Sequence, residues 1–418
     1  MERPISFLKL PRELISVLVN DWLTWENVSR WDSAICNKEH RLEWLDILKT
    51  NSLTKSVFLS FDRSNTFSKE RWYVVRCICA SELRSEVGED FNDAATMRWL
   101  ENTGPTLEKF CIRDVRRVQV LENIVRLCNK LKACSFYCCR IDDRHWKSIS
   151  KILNLEELNL HGTFNMPTDL SLPFLRRLTI RWDSHTASVL LRQLPALRSL
   201  RLTEYNLSDI YSELSGVCAN IVHLDLEDFG RCCTYTSDGD EFPQLMQCLH
   251  KGLRCLILPK MMYYTSLDLQ SVVDCHGESL RCISTPNYVV TGHSQAVMDL
   301  LNNLPLLHTV VISYRALPNL ISPVFNRNIT HMYAEMDRAS LSFLGEALVK
   351  HFPSLTTLSI SASYTYNVSE VVDVLTLRPS IHTVFVPREG SIAKELRKLM
   401  PNVNVKEGSR FDMFSTDY

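Results

Sequence analysis

Along this chain one arrangement of apolar and polar positions keeps returning: an apolar residue, two of any kind, an apolar residue, one of any kind, and a third apolar residue. It reads LEELNL from Leu155, LRRLTI from Leu175, LRSLRL from Leu197, IVHLDL from Ile221, LRCLIL from Leu253, LHTVVI from Leu307, LTTLSI from Leu355 and IHTVFV from Ile381. Weaker copies begin at Leu107, Leu131, Leu280 and Ile329. The twelve starts, from 107 to 381, are about 25 residues apart on average, a period at which each copy is one supersecondary unit. The second half of each copy alternates as a short strand does, and the segment ahead of it has helical spacing. Examples are DRHWKSISKIL, SHTASVLLRQL, SDIYSELSGVC, HSQAVMDLLNNL and RASLSFLGEALVKHF. Each unit therefore predicts a helix followed by a strand. Stacked strands predict a parallel sheet, and neither layer buries its apolar side without the neighbouring units.

Before Leu107 the period fails, although KSVFLSF (55–61) and WYVVRCIC (72–79) read as irregular strands of a capping region. The first 50 residues differ in kind. Pro11 stands where proline is tolerated at a helix start, and Leu14, Val17, Leu18 and Trp22 follow on one predicted face. WENVSRWDSAIC predicts a second helix with Val28, Trp31 and Ile35 apolar, and KEHRLEWLDILKT a third with Leu42, Leu45 and Leu48. Four of the eight tryptophans, at 22, 25, 31 and 44, fall in these helices, so their apolar surface needs a cover.

The repeats resemble the leucine-rich-repeat superfamily over about 300 of the 418 residues. LCNKLKACSF and VCANIVHLDL, with a cysteine three residues ahead of the first apolar position, resemble its cysteine-containing subtype. At the N-terminus Leu10, Pro11, Glu13, Leu14, Leu18, Leu23, Val28, Trp31, Ile35 and Cys36 resemble an F-box. The spacing after Leu18 is one residue longer, and Asn27 stands in place of an Asp. The resemblance implies an α/β leucine-rich-repeat solenoid, parallel sheet on the concave face and helices on the convex face, with a small N-terminal α-helical F-box-like domain. The implied division is an F-box-like three-helix domain at 1–52, irregular capping repeats at 53–106, the solenoid at 107–405 and a tail at 406–418. It further implies a non-catalytic substrate-recognition subunit of a Skp/cullin/F-box-type ubiquitin ligase. Leu10, Pro11, Leu14, Leu18, Leu23, Val28 and Trp31 would bind a Skp-type adaptor, and the concave face a protein substrate. The alternative is a plain leucine-rich-repeat interaction scaffold whose N-terminal helices only cap the repeats.

Composition narrows the chemistry. A net charge of −1 gives no long-range attraction to nucleic acid or to an anionic membrane. There is no apolar run long enough to span a bilayer or serve as a signal peptide, so a cytoplasmic or nuclear protein is expected. The 15 cysteines, many at apolar pattern positions, read as reduced buried thiols. No phosphate loop, H-E-x-x-H pair or nucleophile elbow occurs, so neither catalysis nor a cofactor is expected. Cys138-Cys139 with His145, Cys232-Cys233, Cys275-His276 and the acidic SDGDE run (237–241) lack the spacing of a zinc or calcium site.

Recognition remains, and the register locates it: residues between the apolar positions line the open face of the sheet. They are Glu157, Asn159 and His161; Arg177, Thr179, Arg181 and Trp182; Ser199 and Arg201; His223, Asp225 and Glu227; then Ile257, Val311, Tyr314, Tyr333 and Phe385. The middle is thus charged and the far end apolar and aromatic. His161, Arg177, Arg181, Trp182, Arg201, Asp225, Glu227, Tyr314 and Tyr333 are the candidate substrate contacts. The longest interval, from 221 to 253, predicts a loop over FGRCCTYTSDGDEF (229–242) beside this face.

Overall fold

A computed structural model describes residues 10–11, 14–15, 18–19, 27–28, 30–31, 35, 38–50, 53–59, 80–85, 94–113, 118–164, 170–181, 189–203, 214, 220–228, 241–259, 262–290, 292–313, 315–316, 320, 324–336, 341–362, 367–386 and 392–407. The chain divides into two compact units. The first comprises 1–181 and 185–197, the second 182–184 and 198–418.

In the first unit, helix α1 (Lys38–Thr50) precedes strands β1 (Leu53–Leu59) and β2 (Ala80–Ser85). Helix α2 (Ala94–Thr103) leads into β3 (Lys109–Arg113), α3 (Val118–Leu127) into β4 (Ala133–Ile141), and α4 (Asp143–Ile149) into β5 (Glu157–Phe164), with β6 (Arg177–Arg181) following. The strands pair in parallel and in chain order from β1 to β6. Alternation decides which side faces in. In β3 and β6 the second and fourth residues are buried, giving Phe110 and Ile112, then Leu178 and Ile180. Val120, Leu121 and Ile124 of α3 and Trp146 and Ile149 of α4 supply the helical half of the core.

In the second unit, β7 (Ser199–Thr203), β8 (His223–Asp228) and β9 (Cys255–Ile257) are followed by β11 (Cys282–Ser284), β13 (Thr309–Ser313), β14 (His331–Met336), β15 (Thr357–Ala362), β16 (Thr383–Val386) and β17 (Asn404–Glu407). These too are parallel and in chain order. A separate two-stranded parallel ladder joins β10 (Tyr263–Tyr264) to β12 (Tyr288–Val289). The helices between them are α5 (Glu241–Cys248), α6 (Ser266–His276), α7 (Ser294–Asn302), α8 (Leu341–His351), α9 (Val368–Leu377) and α10 (Ile392–Leu399).

Within both units one backbone rung recurs at the turns entering β4 to β6, β8, β9, β11 and β13 to β17. The amide after the repeat's first apolar residue donates to the same position one repeat earlier. Lys132 N donates to Glu108 O (2.8 Å), Glu156 N to Lys132 O (2.7 Å) and Arg176 N to Glu156 O (2.8 Å). In the second unit Val222, Arg254, Arg281, His308, Thr330, Thr356, His382 and Asn404 continue the same rung, starting from the Arg198 carbonyl. Turn amides that would otherwise lack partners are satisfied by stacking alone.

Each of the twelve sequence repeats leads to a strand starting two residues after its first apolar position, from Leu107 with β3 to Ile381 with β16. KEHRLEWLDILKT is α1, and KSVFLSF overlaps β1. WYVVRCIC, residues 229–240 of the expected loop and residues 408–418 of the tail lie outside the described residues. The β10–β12 ladder has no counterpart in the pattern, because two-residue strands are too short to show alternation. No helix among the described residues is long and apolar enough to cross a membrane.

Candidate functional site

On the open face of the first unit, register aligns Glu82, Lys109, Ala133, Glu157 and Arg177 in one row. The Arg177 guanidinium lies 3.1 Å from Glu157 Oε2. The Asn159 amide donates to Glu157 Oε1 and to the Ser135 hydroxyl, each at 3.0 Å, so one carboxylate is held from two sides. Further along the strands Arg113 pairs in register with Tyr137, and Tyr137 with His161. The last two rings stack at 4.5 Å with 3° between their planes. His161 is half-buried, while Arg177 and Arg181 are exposed. Trp182 lies outside the described residues.

In the second unit, Arg201 and Asp225 are in-register partners on β7 and β8, with Nε 3.8 Å from Oδ2. Asp225 is 5% exposed. Glu227 falls within β8, and Tyr314 lies outside the described residues. The far end of the face is apolar, as its residue types predict. Cys255, Ile257, Cys282, Val311 and Tyr333 form one cluster, with Phe385 packed against it. Tyr333 is nevertheless only 5% exposed and Val311 5%. Side chains on strands about 4.8 Å apart cover one another, so this stretch offers little free surface. Burial pushes the Cys255 thiol well above its ordinary range, reinforced by the neighbouring Cys282, as befits a packing thiol rather than a nucleophile.

Sequence reasoning passed over a second aromatic cluster at the β10–β12 ladder. Tyr263 and Tyr288 lie 5.2 Å apart between ring centroids, and the Arg315 guanidinium is 5.7 Å from the centre of the Tyr288 ring. Its only sequence signal is a Tyr-Tyr pair and a Tyr in two of the longer repeat intervals.

At the N-terminus the candidate adaptor contacts and their neighbours differ in burial. Ile15 (1% exposed) and Val19 (0%) are buried, Leu18 is half-buried, and Leu14 is 51% exposed. Apolar residues at 14, 15, 17, 18 and 19 occupy most of the helix circumference, so periodicity does not select which pair turns inward. Val28 is fully buried within the chain itself, and Trp31 packs 6.1 Å from the buried Trp44. Leu10 is half-buried and Pro11 exposed. Leu23 lies outside the described residues.

Among the described residues no group of three His, Cys, Asp or Glu side chains is placed to hold a metal ion. Two of the cysteine and histidine candidates, Cys139 and His145, have structural employment. The Cys139 thiol lies 3.1 Å from the Tyr137 carbonyl oxygen, and His145 completes a capping box with Asp142 at the start of α4. Cys111, Cys128, Cys134, Cys139, Cys248, Cys255, Cys275 and Cys282 are free thiols.

The fold is thus α/β, built of parallel strands and helices in stacked repeat units. No family model matches the chain, and no curated protein matches it. Among solved structures it is similar to the leucine-rich-repeat-containing protein LegL7 from Legionella pneumophila, at 11% identity and a TM-score of 0.42 over 78% of this chain and 97% of that one. It is also similar to the Rad7–Elc1 complex structure from yeast (13% identity, TM-score 0.34, 96% and 93% covered). An internalin from Listeria monocytogenes is a third (14%, 0.32, 86% and 93%).

Proposed function

We propose that this chain is a non-catalytic protein-interaction scaffold, working where its thiols stay reduced, with the open face of its repeats as the docking surface. The observation that carries this is the ordered polar row on the first unit. There Arg177, Glu157, Asn159 and Ser135 are held at 3.0–3.1 Å on four neighbouring positions of β4, β5 and β6. A preorganised row binds at a smaller entropic cost than mobile side chains do. The test is affinity capture from cell extract with the wild-type chain and with Asn159→Arg plus Arg177→Glu. Loss of the same captured proteins, with the melting temperature unchanged, is expected; identical capture by both would overturn the reading.

A second reading rests on Leu14. A leucine 51% exposed on a helix whose Ile15 and Val19 are buried leaves an apolar surface for a partner, and it suits F-box-like docking of a Skp-type adaptor in a ubiquitin ligase. Because Leu14 is exposed, Leu14→Asp should abolish recovery of such an adaptor without unfolding the helix. Equal recovery by wild type and variant would leave these helices as a cap alone.

A further inference from the structure

The charge on the open face of the first unit departs from that of the chain. Lys109, Arg113, Arg140, Arg177 and Arg181 are all exposed on β3, β4 and β6, against two half-buried carboxylates, Glu82 and Glu157. Among the described side chains of β2 to β6, five cations less two anions leave +3 in a chain whose total is −1. One of the carboxylates, Glu157, is already engaged by Arg177 and Asn159.

The cations surround the stack. Tyr137 and His161 lie on adjacent strands, with Arg113 in register before them on β3 and Arg181 beyond them at the end of β6. Arg140 follows Tyr137 on β4 past a register shift, exposed between buried Cys139 and Ile141. Rings stacked at 4.5 Å, nearly the strand spacing, stand side by side across the sheet. A ring's edge carries the positive end of its quadrupole, which adds to the attraction of anions. Arg113 to Arg181 spans three strand steps, about 14 Å, which four or five residues of extended peptide cover at about 3.3 Å each.

We infer that this face docks an extended acidic segment of a partner protein, laid across β3 to β6, its carboxylates paired with Arg113, Arg140 and Arg181 and its backbone crossing the Tyr137–His161 stack. This deepens the scaffold reading and rests on it. A nucleic acid is the poorer fit. Each ring of the stack has one face covered by the other, leaving less platform for a base, and Glu82 and Glu157 would face a continuous phosphate chain.

The experiment measures fluorescence anisotropy with the full chain and three labelled probes: a peptide of about 12 residues alternating glutamate and serine, its glutamine counterpart, and a thymidine oligonucleotide of about the same length. The glutamate peptide should bind about tenfold or more tighter than the glutamine one, and less tightly as salt rises from about 50 to 300 mM. Arg113→Glu plus Arg181→Glu should weaken it about tenfold or more, whereas Lys394→Glu plus Lys398→Glu on α10 should change it less than about twofold. If the first double variant does not fold, Arg113→Gln and Tyr137→Leu taken singly should each weaken binding about threefold. Equal binding of the two peptides, no binding of either, or tighter binding of the oligonucleotide lost in the same variants would overturn the inference. In those cases capture that still depends on Asn159 and Arg177 would leave the scaffold reading standing, and its loss would remove both.

Discussion

His276, in the last turn of α6, is 1% exposed, and its Nε2–H donates to the Met246 carbonyl at 3.1 Å. Its Nδ1 is buried without a partner. Burial lowers its pKa below 6.5, aided by nearby His250 and opposed by the Met246 hydrogen bond. The ring stays neutral in the fold while the unfolded chain takes up a proton as pH falls through about 6.5, so this group's stability is present above that pH and lost below it. The urea midpoint should therefore drop between about pH 7.5 and pH 5.5, and His276→Gln, which keeps a donor to Met246, should flatten the drop. An unchanged slope in the variant would show that other groups set it. The sequence marks His276 only as a neighbour of Cys275; its burial comes from α5 and α6 lying side by side, which no local pattern shows.

At the scale of elements the sequence was readable wherever the period held. All twelve repeats lead to a strand two residues on, because Leu, Ile and Val at fixed intervals leave a parallel strand one register in which to bury them. What escaped is aperiodic. The pairing of β4 with β5 shifts between Tyr137 and Arg140, inside the run YCCRI, where consecutive apolar residues hide the slip. The shift brings a backbone carbonyl against β5: a Cβ on Gly162 would lie 2.2 Å from Cys139 O. Neither partner is a flexible side-chain end, so the strands themselves must move. Gly162→Ala should cost about 1–3 kcal/mol in chemical denaturation, and it should also disturb the Tyr137–His161 stack next to it. Full stability in the variant would mean that the bulge relaxes freely. The open face was legible by position, since the residues between apolar sites do occupy it, but not by exposure. Arg177 and Arg181 are exposed, whereas Asp225 and Tyr333 are covered by neighbours, a matter of side-chain size on adjacent strands rather than of register.

For the molecule as a whole, a repeat array has a particular weakness: each unit contacts only its neighbours, so its last unit exposes core unless something closes it. The C-terminal end of the second unit carries such a closure. β17 pairs with β16, and Val405 of β17 together with Ala393 and Leu396 of α10 is buried, as are Val384 and Val386 of β16. Arg397 ties helix to strand, its guanidinium donating to the Val405 carbonyl at 3.1 and 3.3 Å and lying 3.5 Å from Glu407 Oε1. Removing residues 392–418 strips, among the described residues, the buried Ala393, Leu396 and Val405 and uncovers β16. At about 1.5–3 kcal/mol for a large apolar side chain, several kcal/mol should be lost, with the unfolding midpoint falling and dye binding to exposed apolar surface rising. Arg397→Ala keeps the burial and removes only the tie, so it should cost about 1 kcal/mol. The two variants separate closure by apolar cover from closure by one hydrogen-bonded strut. If the truncated chain unfolds at the same denaturant concentration as the full one, β16 is stable without cover, and the last helix and strand serve something other than the array's stability.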